Sequence, residues 1–295
     1  MRLGVHLVGF DAPGGPAGIA PMLAALGRAT DEAGVDNLSL MDHYLGLEML
    51  GDVHQPMLEG YTTLGFLAAH TSTVELQLLM TGVTYRHPGL LAKIVATLDV
   101  LSGGRTALGL GAAWYEREHL AHGVPFPSTS ERFERLEETL RIVRQMWSDE
   151  DGPFEGTHHR LAETICAPQP LHRVPVMVGG NGERKTLRLV AAYADACNLV
   201  LGGDAPADEA RHKFRVLRRH CEELGTDYDR IRRTVMLPRP LDPAHGADRF
   251  LEAMAELADA GVEEVHVVPL GAAAADPVRF VRDLGTHVVP HLTRV

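Results

Sequence analysis

The segment MTGVTYRHPGLLAKIVATLDVLSGGRTALGLGAAW, residues Met80–Trp114, decides the fold. It starts in an apolar run that ends in glycine, passes through a helical stretch and a GGR turn, and finishes in a second glycine-rich apolar run. This order is typical of a βαβ unit, in which a helix connects two parallel strands. Chemically active side chains follow each run, at the strand ends where α/β folds place their sites.

The same alternation continues along the whole chain. Short runs rich in Val, Leu and Ile are each followed by a Gly, Pro or Asp turn and then by a helical pattern. Eight strands are predicted, at Leu3–Gly9, Asn37–Met41, Glu75–Val83, Thr106–Gly111, Val174–Gly179, Ala196–Leu201, Ile231–Leu237 and Glu264–Pro269. Their alternation with helices predicts an α/β fold, a closed parallel (β/α)8 TIM barrel, and the 295 residues fit a single domain over 1–295.

One insertion interrupts the predicted barrel between its fourth and fifth strands. The segment 150–171 is too long for a simple loop, and Gly and Pro surround FEGTHHRL at Phe154–Leu161. An inserted hairpin is therefore expected. Before it, Ser128 and Glu131 form a capping-box pattern, and apolar residues three or four apart from Phe133 to Trp147 predict an amphipathic helix.

Composition argues against several classes of function. A net charge of −11 opposes binding to nucleic acid or an anionic membrane, because both rely on clustered Lys and Arg. The sequence shows neither a signal-peptide pattern nor an apolar run long enough to span a bilayer. Cys166, Cys197 and Cys221 are too widely spaced for a zinc site or a disulfide framework. His158 and His159 lack metal-ligand spacing, so no metal site is expected. The cysteine spacing and the lack of a signal or membrane-spanning pattern lead us to expect a cytoplasmic protein.

Asp42 and His43 follow the second predicted strand and are the titratable pair among the strand ends. Neighbours on an extended segment point in opposite directions, so a direct relay between the two is not expected. One interpretation places His43 in the cleft as a proton donor or acceptor. The other makes it a core histidine beside a helix-capping aspartate.

Two further strand ends also admit two interpretations each. VGGNGERK, at 178–185, leads from a strand into a helix, where backbone N–H groups can bind an anion. The alternative there is a plain turn capped by Asn181. Trp114 and Tyr115 either stack on a flat ring in the cleft or pack beneath the inserted hairpin.

Five segments carry a resemblance to a known family. They are MDHY at Met41–Tyr44, TGVTYRHPGLLAK at Thr81–Lys93, LDVLSGGRTALGLGAAWYEREH at Leu98–His119, FEGTHHRL at Phe154–Leu161 and PVMVGGNGERKTLRLVAAYADACN at Pro175–Asn198. Together they resemble the luciferase-like monooxygenase superfamily, and within it the oxidoreductases that depend on the deazaflavin coenzyme F420. The similarity covers almost the whole chain in unbroken order.

The resemblance implies a barrel that holds F420 at its mouth and exchanges a hydride with a small organic substrate. It implies a non-prolyl cis peptide between Gly82 and Val83 that backs the ring. His43 would move the accompanying proton, with Asp42 arranging the hydrogen bonds nearby. From the strand ends and the resemblance, cofactor contacts are predicted at Gly82, Val83, Tyr85, Gly111, Ala112, Gly179, Gly180, Asn181 and Asn198, and substrate contacts at Phe10, Trp114 and Tyr115.

One position departs from the pattern of the family. Sugar-phosphate dehydrogenases of this branch carry a glutamate soon after the glycines of the fourth strand, where this chain has Trp114. The departure predicts a flat, apolar substrate pocket rather than a sugar-phosphate site.

Three other functions remain open at this point. The same barrel suits a monooxygenase that uses flavin mononucleotide (FMN), and it suits a barrel that binds a flavin or deazaflavin without turnover. A metal-dependent hydrolase is a more distant alternative, because the sequence lacks clustered ligands. The resemblance also implies a homodimer.

Overall fold

A computed structural model of the protein describes residues 1–294. Those residues contain eleven strands, namely β1 (Arg2–Leu7), β2 (Asn37–Leu40), β3 (Glu75–Leu78), β4 (Thr81–Gly82), β5 (Leu108–Gly111), β6 (Phe154–Glu155), β7 (Arg160–Leu161), β8 (Val176–Gly179), β9 (Ala196–Val200), β10 (Arg232–Leu237) and β11 (Glu264–Val267). The helices are α1 (Pro16–Ala33), α2 (Gly60–Ala68), α3 (Pro88–Ser102), α4 (Glu116–His122), α5 (Thr129–Met146), α6 (Thr186–Tyr193), α7 (Pro206–Leu224), α8 (Pro243–Asp259), α9 (Ala272–Ala275), α10 (Pro277–His287) and a final 3-10 helix (Val289–Arg294).

Nine parallel strands form one sheet that returns on itself. Their order is β3-β2-β1-β11-β10-β9-β8-β5-β4, so the two ends of the sheet are β3 and β4. These are consecutive pieces of one barrel strand, since β3 pairs with β2 and β4 pairs with β5. A further parallel bridge joins Leu76 to Thr106. The predicted (β/α)8 barrel is therefore confirmed.

The third barrel strand differs from the prediction of one continuous strand over Glu75–Val83. It is interrupted after Leu78, where its hydrogen-bonding partner changes from β2 to β5. The non-prolyl cis peptide lies at this break, between Leu79 and Met80. Its expected position at Gly82–Val83 was wrong by three residues, because apolar residues continue across the break and hide it in the sequence.

The inserted hairpin is confirmed between β5 and β8. Strands β6 and β7 pair antiparallel, and the amide of Gly156 donates to the carbonyl of His159 over 2.9 Å. Glu138 of α5 holds the hairpin turn, because its carboxylate accepts from the amides of His158 at 3.1 Å and His159 at 2.9 Å. The ring of His159 also bonds to Glu138, at 3.0 Å. These two histidines therefore attach the hairpin to α5.

Charged residues close the barrel at the amino ends of its strands. Glu264, at the start of β11, is fully buried, with ion-pair distances of 3.3 Å to Arg2 and 3.4 Å to Arg232. His266 lies 3.2 Å from its other oxygen. Burial opposes the charge, but His266 and the two arginines lower the pKa of Glu264 to about 2. The glutamate is thus an anion that ties together three strands.

Other expectations concern burial and membranes. Cys166, Cys197 and Cys221 are all buried with free thiols. Among the helices of residues 1–294, none combines the length and the apolar character needed to cross a bilayer.

Helix α5 begins where the capping pattern predicts. Ser128 is its N-cap, and the hydroxyl accepts from the amide of Glu131 over 3.3 Å. The glutamate carboxylate does not return to Ser128, because it accepts from Arg135 instead. The apolar face is buried against α3, with Leu136, Leu140 and Val143 at 1% exposure or less.

Substitution Ser128→Ala removes this cap and is expected to lower the free energy of unfolding by about 1 kcal/mol. Urea denaturation followed by circular dichroism measures the change. Ser130→Ala, in the first turn of the same helix and exposed, is the matched control, with an expected change within about 0.5 kcal/mol. Equal effects of the two substitutions would contradict a capping role for Ser128.

Candidate active site

The carboxyl ends of the barrel strands surround a cavity of about 570 Å³. Most residues predicted for the site line this cavity, and they come from five of the barrel strands. They are Asp42, His43, Gly82, Tyr85, Gly111, Ala112, Trp114, Gly179, Gly180 and Asn198. The cavity also has lining residues that the sequence did not single out, among them His6, Met80, Thr129, Arg132 and Thr186.

Four predicted site residues lie outside the cavity lining. Phe10 and Val83 are buried in the main core. Tyr115 packs with Met41 and Leu47, and its hydroxyl donates to Glu48 over 2.5 Å. Asn181 bridges two strand ends, because its amide donates to the carbonyl of Val200 at 2.8 Å and accepts from the amide of Val200 at 2.9 Å.

Glu118 organises the hydrogen bonds around His43. It lies in the first turn of α4 and is fully buried. Its carboxylate accepts from the ring of His43 at 2.7 Å, from the hydroxyl of Tyr85, and from the amide of Tyr44 at 2.8 Å. Burial alone would raise the pKa of Glu118, but the hydrogen bond and charge of His43 and the Tyr85 hydroxyl hold it below its ordinary value.

The contact with Glu118 fixes the orientation of His43. A carboxylate only accepts hydrogen bonds, so Nδ1 of the imidazole carries a proton, and the neutral form of the ring has its lone pair on Nε2. The ring lines the cavity and meets Trp114 edge-on, with ring centroids 5.4 Å apart. Among residues 1–294, no protein group forms a hydrogen bond with Nε2. This nitrogen is therefore free to exchange a proton with a bound molecule.

Asp42 contacts different residues from its neighbour His43, as expected for adjacent side chains on an extended segment. It forms a bidentate ion pair with Arg86, at 2.7 and 2.9 Å, and accepts from the amide of Gly82 at 3.1 Å. Arg86 also bonds to Glu59 and lies over the ring of Tyr61. Burial raises the pKa of Asp42, while the paired aspartate raises that of Arg86 against the effect of burial. The pair connects the end of β2 to β4 and α2.

Tyr85 is held in place from three sides. Its ring stacks on that of His119 at 4.6 Å, and a side chain on Gly82 would place its Cβ 2.6 Å from the Tyr85 ring. Only glycine fits there. Burial and Glu118 raise the pKa of Tyr85, so the phenol stays protonated and donates to the carboxylate. His119 in turn bonds to Thr84 at 2.6 Å.

His6 is a second histidine of the cavity lining, at the end of β1. It is 2% exposed, and its Nδ1 lies 3.0 Å from the hydroxyl of Ser39. Burial, aided by the nearby His266 and His43, lowers the pKa of His6 to about 3. His6 is therefore a neutral imidazole at ordinary pH, in contrast to the ion pairs around it.

Glycine residues form most of one wall of the cavity. The neighbouring strands β4, β5 and β8 end in Gly82, Gly111 and Gly179, followed by Ala112 and Gly180. The side chain of Met80 packs on this wall, because a Cβ on Gly179 would lie 2.6 Å from its Cγ and a Cβ on Gly111 would lie 3.3 Å from its Cβ. Gly180 has a φ of 126°, a conformation that glycine adopts without steric cost. The glycines therefore make room for the methionine, which also lines the cavity.

Two important residues of this arrangement were not predicted. Glu118 lies seventy-five residues from His43, inside the family segment Leu98–His119, but it was assigned no role. Arg86 lies inside the family segment Thr81–Lys93 and was likewise assigned no role. A usable signal was the acidic pair Glu116 and Glu118 at the start of a helix, because one of the two had to face inward.

The chain is similar to proteins of a known family. Residues 1–278 match the model of the luciferase-like monooxygenase family. An F420-dependent glucose-6-phosphate dehydrogenase of Kineococcus radiotolerans is 35% identical over 221 residues, which are 75% of this chain and 64% of that protein. A second, from Microbacterium testaceum, is 32% identical over 183 residues, 62% of this chain and 53% of that protein. The matched part of the chain thus spans between 53% and 64% of the length of these curated relatives.

Solved structures share the fold across nearly all of the chain. The coenzyme F420-dependent tetrahydromethanopterin reductase of Methanopyrus kandleri superposes with a TM-score of 0.79 at 17% identity, covering 98% of this chain and 99% of that one. Monooxygenase RslO1 from Streptomyces bottropensis gives 0.77 at 20% identity, covering 99% and 100%. At such identities these neighbours establish the barrel and not its chemistry.

The lowered pKa of Glu118 has a consequence for stability. A carboxylate whose pKa is lower in the folded state stabilises the fold above its unfolded pKa of about 4.3, and that contribution is lost as the pH falls. Glu118→Gln is expected to lower the free energy of unfolding at neutral pH by about 1–3 kcal/mol, because an amide cannot accept all these bonds. It should also flatten the fall in stability below about pH 4.

Urea denaturation at a series of pH values measures both effects. Glu116→Gln, an exposed residue of the same helix turn, is the matched control and is expected to change neither. A Glu118→Gln protein that is as stable as the control at every pH would show that the buried carboxylate does not hold the site together.

Proposed function

This chain belongs to the luciferase-like monooxygenase family, as the resemblance indicated, and we propose that it is an oxidoreductase that transfers a hydride between coenzyme F420 and a small organic substrate. The observation that carries the proposal is the His43–Glu118 pair, 2.7 Å apart, because His43 lines the cavity and its Nε2 has no protein partner among residues 1–294. The similarity to F420-dependent glucose-6-phosphate dehydrogenases supports it.

The residues present fit a planar tricyclic cofactor. Gly82, Gly111, Ala112, Gly179 and Gly180 add little side-chain bulk to one wall, and a flat ring in the cavity would meet the flexible Met80 side chain that packs there. A cavity of about 570 Å³ is in the range of cofactor sites. Thr129, Arg132 and Thr186 line the same cavity and supply donors for the anionic part of the coenzyme. When bound, the deazaflavin supplies the hydride chemistry.

The protein's own groups handle the proton. Nε2 of His43 takes the proton from a substrate hydroxyl, or returns it in the reverse direction. Glu118 stabilises the imidazolium that forms, because its charge lies at 2.7 Å in a buried environment. Tyr85 and the amide of Tyr44 keep the carboxylate in place. Asp42, occupied by Arg86, positions the loop after β4 through the amide of Gly82 and takes no part in the proton transfer.

The sequence also suggests two alternatives to this proposal. FMN is the alternative cofactor, which would direct the same barrel toward oxygen chemistry. Binding without turnover is the second alternative. We also propose a homodimer, from the resemblance, and a cytoplasmic location, from the free, buried cysteines. Sedimentation equilibrium tests the oligomeric state.

Titration of the protein with F420 and with FMN, followed by fluorescence, tests the cofactor. We expect tight binding of F420 and weaker binding of FMN. The opposite order would favour the flavin monooxygenase, and binding of F420 without reduction by any donor would favour the non-catalytic protein.

His43→Asn tests the role of the histidine. Asparagine can still donate to Glu118 but cannot accept a proton, so kcat is expected to fall by about 10²–10⁴-fold while the Kd for F420 changes little. His54→Asn, an exposed histidine of the same β2–α2 connection, is the matched control. Parallel losses of kcat and F420 affinity in His43→Asn would contradict the proton-transfer role.

A further inference from the structure

We propose, on the basis of the proposed function, that the substrate is an uncharged alcohol, or its carbonyl counterpart, that carries a hydrocarbon chain or ring. A sugar phosphate, the substrate class printed in the names of the curated relatives, does not suit this cavity. Three features of the cavity support the proposal: an apolar rim, a lining that holds one Lys or Arg among residues 1–294, and the Nε2 of His43, which has no protein partner among those residues.

The rim of the cavity is apolar and accessible to solvent. Among residues 1–294, nine large apolar side chains are strongly exposed, and four of them line this one cavity. They are Met49, Leu50, Trp114 and Val200, with exposures of 75%, 42%, 54% and 41%. Scattered exposed apolar residues are common, but a cluster around a cavity marks a binding surface for apolar groups. The rim therefore fits a hydrocarbon substituent that projects out of the cavity.

Apolar residues continue from the rim into the cavity. The last two barrel strands, β10 and β11, and the loops after them contribute Met236, Pro238, Val268 and Leu270 to the lining. In many barrels the loops after strands seven and eight form a phosphate site. Here those loops present hydrocarbon side chains to the cavity instead, which agrees with the apolar pocket expected from Trp114.

A phosphate group on the substrate would find no cation of its own in the lining. Arg132 is the one Lys or Arg that lines the cavity among the residues the structure covers. Its terminal nitrogens donate to the carbonyl of Pro127 at 2.6 Å and to the hydroxyl of Thr129 at 3.2 Å. Its Nε has no protein partner, and under the proposed function this arginine serves the anionic part of the coenzyme, which leaves no second cation for a substrate phosphate. His6 is neutral, since its pKa is lowered to about 3. A dianion buried without a charged partner is strongly disfavoured.

His43 provides the chemistry that an alcohol requires. In the oxidative direction the carbon–hydrogen bond breaks and its electron pair leaves with the hydride to the deazaflavin. The oxygen–hydrogen bond breaks as well, and its proton goes to Nε2 of His43, leaving a carbonyl. Two electrons leave the substrate and two enter the coenzyme, and the reverse reaction returns both. A bound alcohol would place its hydroxyl at Nε2 of His43 and its hydrocarbon chain against Met49 and Leu50.

Calorimetric titration of the protein loaded with reduced F420 tests this proposal, because alcohols cannot react in that complex. The probes are 2-butanol, 2-hexanol, 2-octanol and glucose 6-phosphate. We expect Kd to fall by up to about fourfold for each methylene that reaches the rim, and no measurable binding of glucose 6-phosphate. Reduction of oxidised F420 by the same alcohols should show the same trend in kcat/KM.

The double substitution Met49→Ser with Leu50→Ser tests the rim directly. Both side chains are exposed, so the fold should tolerate the change, and the gain per methylene is expected to fall to about twofold or less. Leu120→Ser, a residue of α4 that is 70% exposed and does not line the cavity, is the matched control and should keep the wild-type trend.

Three results would overturn the substrate assignment while leaving the proposed function intact. They are tighter binding of glucose 6-phosphate than of 2-octanol, a Kd that is independent of chain length, and an unchanged trend in the double variant, each in a protein that binds F420. Failure of F420 itself to bind in the fluorescence titration would instead contradict the proposed function.

Discussion

The site depends on one buried anion, the carboxylate of Glu118. A charge removed from water is strongly unfavourable unless it is paired and hydrogen-bonded. Here the partners come from two other parts of the barrel mouth, with His43 and the amide of Tyr44 after β2 and Tyr85 after β4. Each partner lowers the cost of burying the carboxylate, and the carboxylate fixes each partner. The position of the histidine is therefore a property of the whole mouth and not of the β2 loop alone.

Much of the fold followed from the sequence because strand and helix patterns are local. All eight barrel strands lie where the apolar runs predicted them, with ends that differ by at most two residues. The third strand is the exception, since its break after Leu78 depends on a change of hydrogen-bonding neighbour. Such a change is set by the closure of the ring, and nothing in the run of apolar residues from Glu75 to Val83 reports it.

The same distinction explains what was missed in the site. That Asp42 and His43 diverge could be predicted, because alternation along an extended segment is a local rule. That His43 meets Glu118 could not, because the contact spans seventy-five residues and requires strands two and four to flank the third strand. Asn181 shows the converse. Its position in a glycine-rich turn suggested an anion contact, but its amide instead joins the ends of β8 and β9 through Val200.

Charge is distributed unevenly along the barrel axis, and the distribution has a chemical rationale. At the amino ends, Glu264 with Arg2 and Arg232 forms an ion cluster that joins three strands. At the mouth, the buried carboxylates Asp42 and Glu118 are each paired, with Arg86 and His43, and much of the surrounding surface is glycine or hydrocarbon. Electrostatic interactions are stronger where water and free ions are excluded. Apolar surroundings therefore strengthen the interaction between Glu118 and a protonated His43, the form of the histidine that the proposed oxidation of an alcohol would produce.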